Sequence, residues 1–497
     1  MALLASLDDD LNQHSNASTS KQKLSVVGGS LRSSPQDWSS ILRPRKLISH
    51  SDGLCSSVYR VSLTSPPPSW PYTLSSTSSS RAVSSLVPLA DAASNAGGLQ
   101  GWLCVKRVSP DEQPQPHNVS QEIALLSSLP QHRNVGVLLA AVYDETDAFG
   151  ATVDLIMPLY AATLEEVLLQ PSLLPPSLRP NQDEGEQERP AKSIERLWTA
   201  TNTVQGFMIK VAEQLVEGIA FLHEQGVAHR DIKPSNILLS HTGVVKLIDL
   251  GTAYTGKPLN DPLEQGGKMV KSEGERGRMV HQVGTGVFRA PELLFAPKTG
   301  YDAYAIDVWS LAVTIAHFFT PLTPTSSTNV REEDIWNQLE EKETVDERRD
   351  WEKAFDSATS LPPQDAQGEA DSPLYFQEYD PDPAPDHPRS ASGYIRTQLF
   401  QGERGDIGLA ASIFALLGLP TSIEQWPEAE HFQPPLSKLP FAPTSGTGLM
   451  DALPLANEYE DEATVRKVVE KVLVPCLQLS AAKRPMAKQL SASIKSW

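Results

Sequence analysis

Between Val227 and Ala253 the chain places reactive side chains at short, fixed intervals: His229-Arg230-Asp231, then Lys233 and Asn236, then Asp249-Leu250-Gly251. Two carboxylates, one amide and one ammonium thus fall on a pair of short loops. An Asp can accept or orient a hydroxyl proton. An Asn and a second Asp can hold a hard cation through oxygen, and an ammonium can offset charge on a moving anionic group. Phosphoryl transfer from a nucleotide calls for this set, with Asp231 at the hydroxyl, Asn236 and Asp249 at Mg2+ and Lys233 at the moving group. A polar hairpin on an unrelated α/β protein is the other reading of these residues alone.

Several elements must position this set. The apolar runs Ile237 to Leu239 and Val244 to Leu247 flank a Ser-His-Thr-Gly turn and predict a β-hairpin with the polar groups at its open ends. Met208, Val211, Leu215, Ile219 and Leu222 recur at spacings of three and four, which predicts an amphipathic helix ending near Gly226 and running into the first loop. Lys46 to Ser49, Trp102 to Lys106 and Val153 to Met157 read as strands. Asn118, followed three residues later by Gln121, predicts a capping box at the start of a helix carrying Glu122. Taken singly, Lys106 reads as an ordinary strand lysine and Glu122 as a solvated helix glutamate.

The pattern H-R-D-x-K-x-x-N followed by D-x-G resembles the protein-kinase family. Further segments fall in that family's order. Ser51-Asp52-Gly53-Leu54-Cys55-Ser56-Ser57-Val58 stands where kinases carry G-x-G-x-x-G-x-V, with Gly53 alone retained and Ser51 and Ser56 in place of the outer glycines. Val105-Lys106 closes the segment matching V-A-I-K, and Ala290-Pro291-Glu292 matches A-P-E. The resemblance implies that Lys106 holds the ATP phosphates and pairs with Glu122, and that Cys104 lies under the adenine. It places Met157, Leu159 and Tyr160 at the hinge, where backbone groups read the base; Pro158 removes one donor there. It also implies that Thr285 bonds Asp231 and Lys233, that Asp307 braces the catalytic loop, and that Glu292 pairs with Arg484. The implied fold is α+β and two-lobed, an antiparallel sheet with one helix above a mainly helical lobe, with ATP and Mg2+ in the cleft.

Composition bounds the rest. Of 497 residues, 40 are proline, and the Pro/Ser-rich tracts predict that much of the length lies outside the core. Residues 1–40 read as a disordered arm, 41–160 as the first lobe with an insert at 63–98, and 161–497 as the second with inserts at 170–196 and 323–394. A net charge of −19 argues against non-specific binding to nucleic acid or acidic membrane. Three cysteines make no disulfide framework and point to a reducing compartment, cytoplasmic and/or nuclear. The N-terminal MALLASL lacks the basic region of a secretory signal, and no apolar run is long enough for a bilayer. Arg43-Pro44-Arg45-Lys46 reads as the start of a strand or as a weak nuclear signal.

Leu399-Phe400-Gln401-Gly402, the run Ile413 to Thr421 and Trp426-Pro427 resemble the cyclin-dependent branch, and within it the fungal single-subunit CDK-activating kinases. That implies a protein substrate, namely the activation-loop threonine of a cyclin-dependent kinase. Two departures are legible. Pro116 to Glu122 stands where cyclin-dependent kinases have P-S-T-A-I-R-E, with Ser120 for the isoleucine that packs on cyclin, a loss of about 1.5–3 kcal/mol of burial. Gln121 replaces the arginine that pairs with the loop phosphate, and no Ser, Thr or Tyr occurs between Ser272 and Thr285. The expectation is a monomer active without cyclin and without loop phosphorylation, with Glu273 or Glu275 as stand-in partner for Arg230. Alternatives are another kinase of the same branch, Pro-directed through Arg289, or a pseudokinase scaffold binding partners through its inserts, for example at Leu374 to Phe376.

Overall fold

The computed structural model of the chain describes residues 23–25, 47–53, 56–62, 93–99, 102–144, 151–178, 203–256, 259, 279–297, 299–324, 393–435, 438–439, 441–459 and 461–495. The basic run Arg43 to Lys46, Leu54 and Cys55, Glu273, Glu275, Leu374 to Phe376 and the greater part of the expected inserts lie outside these residues. Two compact units are present: Met1–Ala161 with Glu224–Val227 and Leu238–Glu275, and Ala162–His223 with Ala228–Ile237 and Arg276–Trp497.

The first unit is built on a six-stranded antiparallel sheet. Its strands are β1 (Lys23–Ser25), β2 (Ile48–Gly53), β3 (Ser56–Ser62), β4 (Trp102–Val108), β5 (Ala140–Asp144) and β6 (Thr152–Pro158), in the order β1-β5-β6-β4-β3-β2. β1 was not expected, because it lies in the arm read as disordered. It pairs Leu24 with Val142 and covers what would otherwise be an open sheet edge at β5. Helix α1 (Val119–Ser128) packs its Val119 and Ile123 on Val108, Val153 and Leu155. A second cluster joins Val61, Leu103, Val105, Ala140 and Ile156. Burying these aliphatic side chains fixes strand register, since a slip of one residue would turn each of them to the other face.

Of the expected 63–98 insert, residues 93–98 fall among those described. Ala93 is buried among Val61, Leu103 and Val105. Leu99 packs with Trp102 and Leu159, and its N–H donates to the Leu159 carbonyl at 2.7 Å. Gly97 and Gly98 permit the approach: a Cβ on Gly98 would sit 2.7 Å from Pro158 Cβ and 2.9 Å from the Ala93 carbonyl oxygen.

The second unit is helical. It contains α2 (Leu164–Leu168), α3 (Val204–Glu224), α4 (Ala303–Ala316), α5 (Gly405–Leu417), α6 (Glu462–Val468) and α7 (Ala487–Ile494). α3 buries Met208, Val211, Leu215, Ile219 and Leu222, the positions whose spacing predicts it. α4 is apolar on nearly all sides and buried accordingly, with its first turn capped by Asp302, which accepts from the N–H groups of Tyr304 and Ala305. The chain enters the expected 323–394 insert from Leu322–Pro324 and returns through Tyr394–Arg396, paired antiparallel to it. Arg396 pins the return by donating to the carbonyls of Leu168, His317 and Thr320. Among the described residues no helix is long and apolar enough to cross a membrane.

Candidate active site

In the first unit, the sheet register carries Lys106 to its partners. β3 sets Val58 opposite Lys106, and β6 sets Leu155 opposite it on the other side. Lys106 Nζ donates to Glu122 Oε2 at 2.9 Å and to Asp249 Oδ1 at 3.0 Å. Burial alone would depress the Lys106 pKa, but the charges of Asp249 and Glu122 outweigh it and hold the ammonium well above its usual range. Asp249 adopts φ 66°, a left-handed backbone seldom taken by a residue with a Cβ.

The other residues expected around the nucleotide also fall in this unit. Ser51 pairs with Val58 and Gly53 with Ser56, so the hairpin is in place up to Leu54 and Cys55. Cys104 lies opposite Met157. Burial pushes its thiol up to about 12, against the pull of Lys106, and keeps it protonated and unreactive near neutral pH. The Leu159 side chain is committed to Leu99 and Trp102. Tyr160 is buried with its ring 5.9 Å from Lys246 Nζ. Burial raises the Tyr160 hydroxyl pKa. Both side chains are engaged in packing, and the Leu159 carbonyl already accepts from the Leu99 N–H.

The second unit gathers the remaining polar set. Asp231 Oδ1 accepts from Thr285 Oγ1 at 2.7 Å, and Lys233 Nζ donates to Thr285 Oγ1 at 2.7 Å. Lys233 Nζ also stands 3.0 Å from Asp231 Oδ2, which accepts from Asn236 Nδ2 at 2.9 Å. The Asn236 side chain donates through Nδ2 to the Asp231 carbonyl and carboxylate, so Oδ1 is the atom it has to offer a cation. The donor types fit Mg2+, which takes oxygen ligands and binds through one or two protein groups plus phosphate and water. Among the described residues no larger cluster of His, Cys, Asp and Glu suited to a metal is present.

The loop bearing Asp231 is held from beneath. Asp307, on α4 and 1% exposed, accepts from the N–H groups of His229 and Arg230, each at 2.7 Å, and contacts His223 Nε2 at 2.8 Å. These bonds fix Arg230 at φ 65°, which turns the chain so that Asp231 meets Thr285. Arg289 donates to the carbonyls of His281 and Val283 and pairs with Asp406. Glu292 and Arg484 form a buried bidentate pair at 2.7 Å.

Two features were not anticipated. Arg230 Nη1 donates to the Tyr301 hydroxyl at 3.0 Å, and that hydroxyl donates to the Val280 carbonyl at 2.7 Å. A phenol thus links the loop bearing Asp231 to the segment that precedes Thr285. The predicted capping box is only half formed. Asn118 Oδ1 accepts from Gln121 N, but the Gln121 side chain turns away to donate to the Ala253 carbonyl at 2.6 Å. Ala253 is remote in sequence, so local spacing held no sign of it.

Comparison with known proteins agrees with this geometry. The family model described as "Protein kinase domain" matches residues 100–493, and the chain belongs to that family. Its fold is the protein-kinase fold, with an antiparallel sheet in one unit and helices in the other. Among curated relatives, the chain is 42% identical over 113 residues to MAP kinase kinase kinase wis4 of Schizosaccharomyces pombe. It is 42% identical over 106 residues to serine/threonine-protein kinase TOS3 and 37% over 121 residues to serine/threonine-protein kinase CAK1, both of Saccharomyces cerevisiae. These matches cover 23%, 21% and 23% of this chain and only 8%, 18% and 30% of the relatives.

Proposed function

We propose that the chain is a serine/threonine protein kinase that transfers the γ-phosphoryl group of ATP to a protein hydroxyl. The arrangement of Asp231, Lys233 and Thr285 carries the reading. One carboxylate is oriented by a hydroxyl, an ammonium and an amide, which leaves it poised to take a proton from a substrate hydroxyl. Asp231 orients that hydroxyl and receives its proton. Thr285 and the Asp307-braced backbone keep Asp231 in place, and Lys233 offsets negative charge beside it. Lys106, aligned by Glu122, holds phosphate oxygens. By the motif they stand in, Asn236 in the second unit and Asp249 in the first would each offer oxygen to Mg2+, which when bound would neutralise phosphate charge.

The substrate we infer is the activation-loop threonine of a cyclin-dependent kinase. Support comes from the motifs Leu399 to Gly402 and Ile413 to Thr421, and from the similarity to CAK1. Independence from cyclin and from loop phosphorylation is supported by Ser120 and Gln121, by the run 273–284 without acceptors, and by the Arg230–Tyr301 link.

The test is transfer of labelled phosphate from Mg·ATP to a purified, unphosphorylated cyclin-dependent kinase, with the chain alone and beside Asp231→Asn. Transfer to the loop threonine that vanishes in the variant supports the whole reading. Transfer only to a generic basic protein keeps the kinase and removes the substrate. Absence of both removes the enzyme.

A further inference from the structure

The first turn of α1 is fastened to the Asp249-Leu250-Gly251-Thr252-Ala253 turn at two points. Asn118 N–H donates to the Gly251 carbonyl at 2.9 Å, and Gln121 Nε2 donates to the Ala253 carbonyl at 2.6 Å. Gln121 is 8% exposed, so its amide has little access to water as a substitute partner. The fit is close. A Cβ on Gly251 would lie 3.2 Å from Asp249 Oδ1, 3.7 Å from Glu122 Oε2 and 4.0 Å from Asn118 N.

These bonds sit beside the partners of Lys106. Glu122 follows Gln121 directly, and Asp249 opens the turn that supplies both carbonyls. Gln121 occupies the position where the resembled family has a phosphate-reading arginine, and here its side chain is bound within the chain instead.

We propose that Gln121 is a positioning residue: by donating to the Ala253 carbonyl, with Asn118 N–H on Gly251, it locks α1 against the Asp249 turn and keeps Glu122 on Lys106 without any partner protein. This rests on the kinase reading for its role in catalysis, but the lock is a property of the chain itself. When a helix divides between a docked and an undocked state, and only the docked state binds nucleotide productively, apparent affinity falls with the docked fraction. Saturating nucleotide then restores the docked state, and the loss is seen in KM and not in kcat.

The experiment uses the full chain with Gln121→Met, which keeps length and removes the donor, and Gln121→Glu, which keeps shape and, as a carboxylate, cannot donate. Expected in both is a rise of about tenfold in KM for ATP with kcat near the parent value. Hydrogen exchange should quicken across 118–126 and return towards the parent rate at saturating Mg·ATP, with 303–316 unchanged. An unchanged KM together with unchanged exchange in 118–126 overturns the proposal. So does faster exchange in 303–316 to the same degree, which marks general loosening. If the parent chain transfers no phosphate, the kinase reading fails, while exchange across 118–126 still decides the lock.

Discussion

The pair Arg484–Glu292 and the cluster around Lys106 are both ion-paired, and they are built in opposite ways. Arg484 spends all five of its N–H donors: two on Glu292, and one each on the carbonyls of Ala305, Gln478 and Leu479. Its guanidinium also lies 5.1 Å over Trp309, and the pair is 0% and 2% exposed. Lys106 is one ammonium between two carboxylates on separate elements, at 15%, 4% and 27% exposure for Lys106, Glu122 and Asp249. The first has a single arrangement and no competing charge. The second carries one negative charge in excess and partners that can be exchanged, so a cation or a phosphate changes its balance. Permanence and responsiveness are thus assigned to different ion pairs, and what separates them is the number of competing partners and the access of water.

The largest expected effect breaks the permanent pair. Arg484→Met leaves Glu292 buried and unpaired and should cost about 3–5 kcal/mol in denaturant unfolding. A cost below about 1 kcal/mol would erase the distinction. Lys106→Met should cost less stability, about 1–2 kcal/mol, because Asp249 reaches water, yet should lower phosphate transfer about 100-fold or more. The ratio of the two effects, read by unfolding and by transfer assay, is what the contrast predicts. Tyr301→Phe removes one hydroxyl from the Arg230–Val280 link and should cost about 0.5–1.5 kcal/mol, with thermal unfolding as the measure. Glu462→Gln, which breaks the exposed pair with Arg466, should leave the denaturant midpoint at the parent value, at low and at high salt. A shift there would mean that exposure is not what grades these pairs.

The polar residues of 229–251 were legible as a candidate site because phosphoryl transfer would fix both their types and their spacing. The helix α3 was legible because a buried face imposes a period. What escaped was contact at long range. Gln121 looked like half of a capping box, but the Ala253 carbonyl won its side chain. Tyr301 carried no local signal at all, because its partners Arg230 and Val280 are distant in sequence. The arm concealed β1, since three residues are too few to show alternation and gain their hydrogen bonds only from β5. The small residues at 97 and 98 read as loop composition, whereas in the fold their smallness serves close packing against Ser240 and Pro158.

That packing has a consequence for how this sequence can change length. An extra residue between Ala93 and Trp102 would drive Gly98 off Pro158 and draw Leu99 from the Leu159 carbonyl, so an insertion there would be felt in the strand expected to read the base. Ala93, itself sunk among Val61, Leu103 and Val105, marks the boundary. Length should therefore be constrained from Ala93 to Trp102, making these positions ones through which drift in length can alter nucleotide affinity.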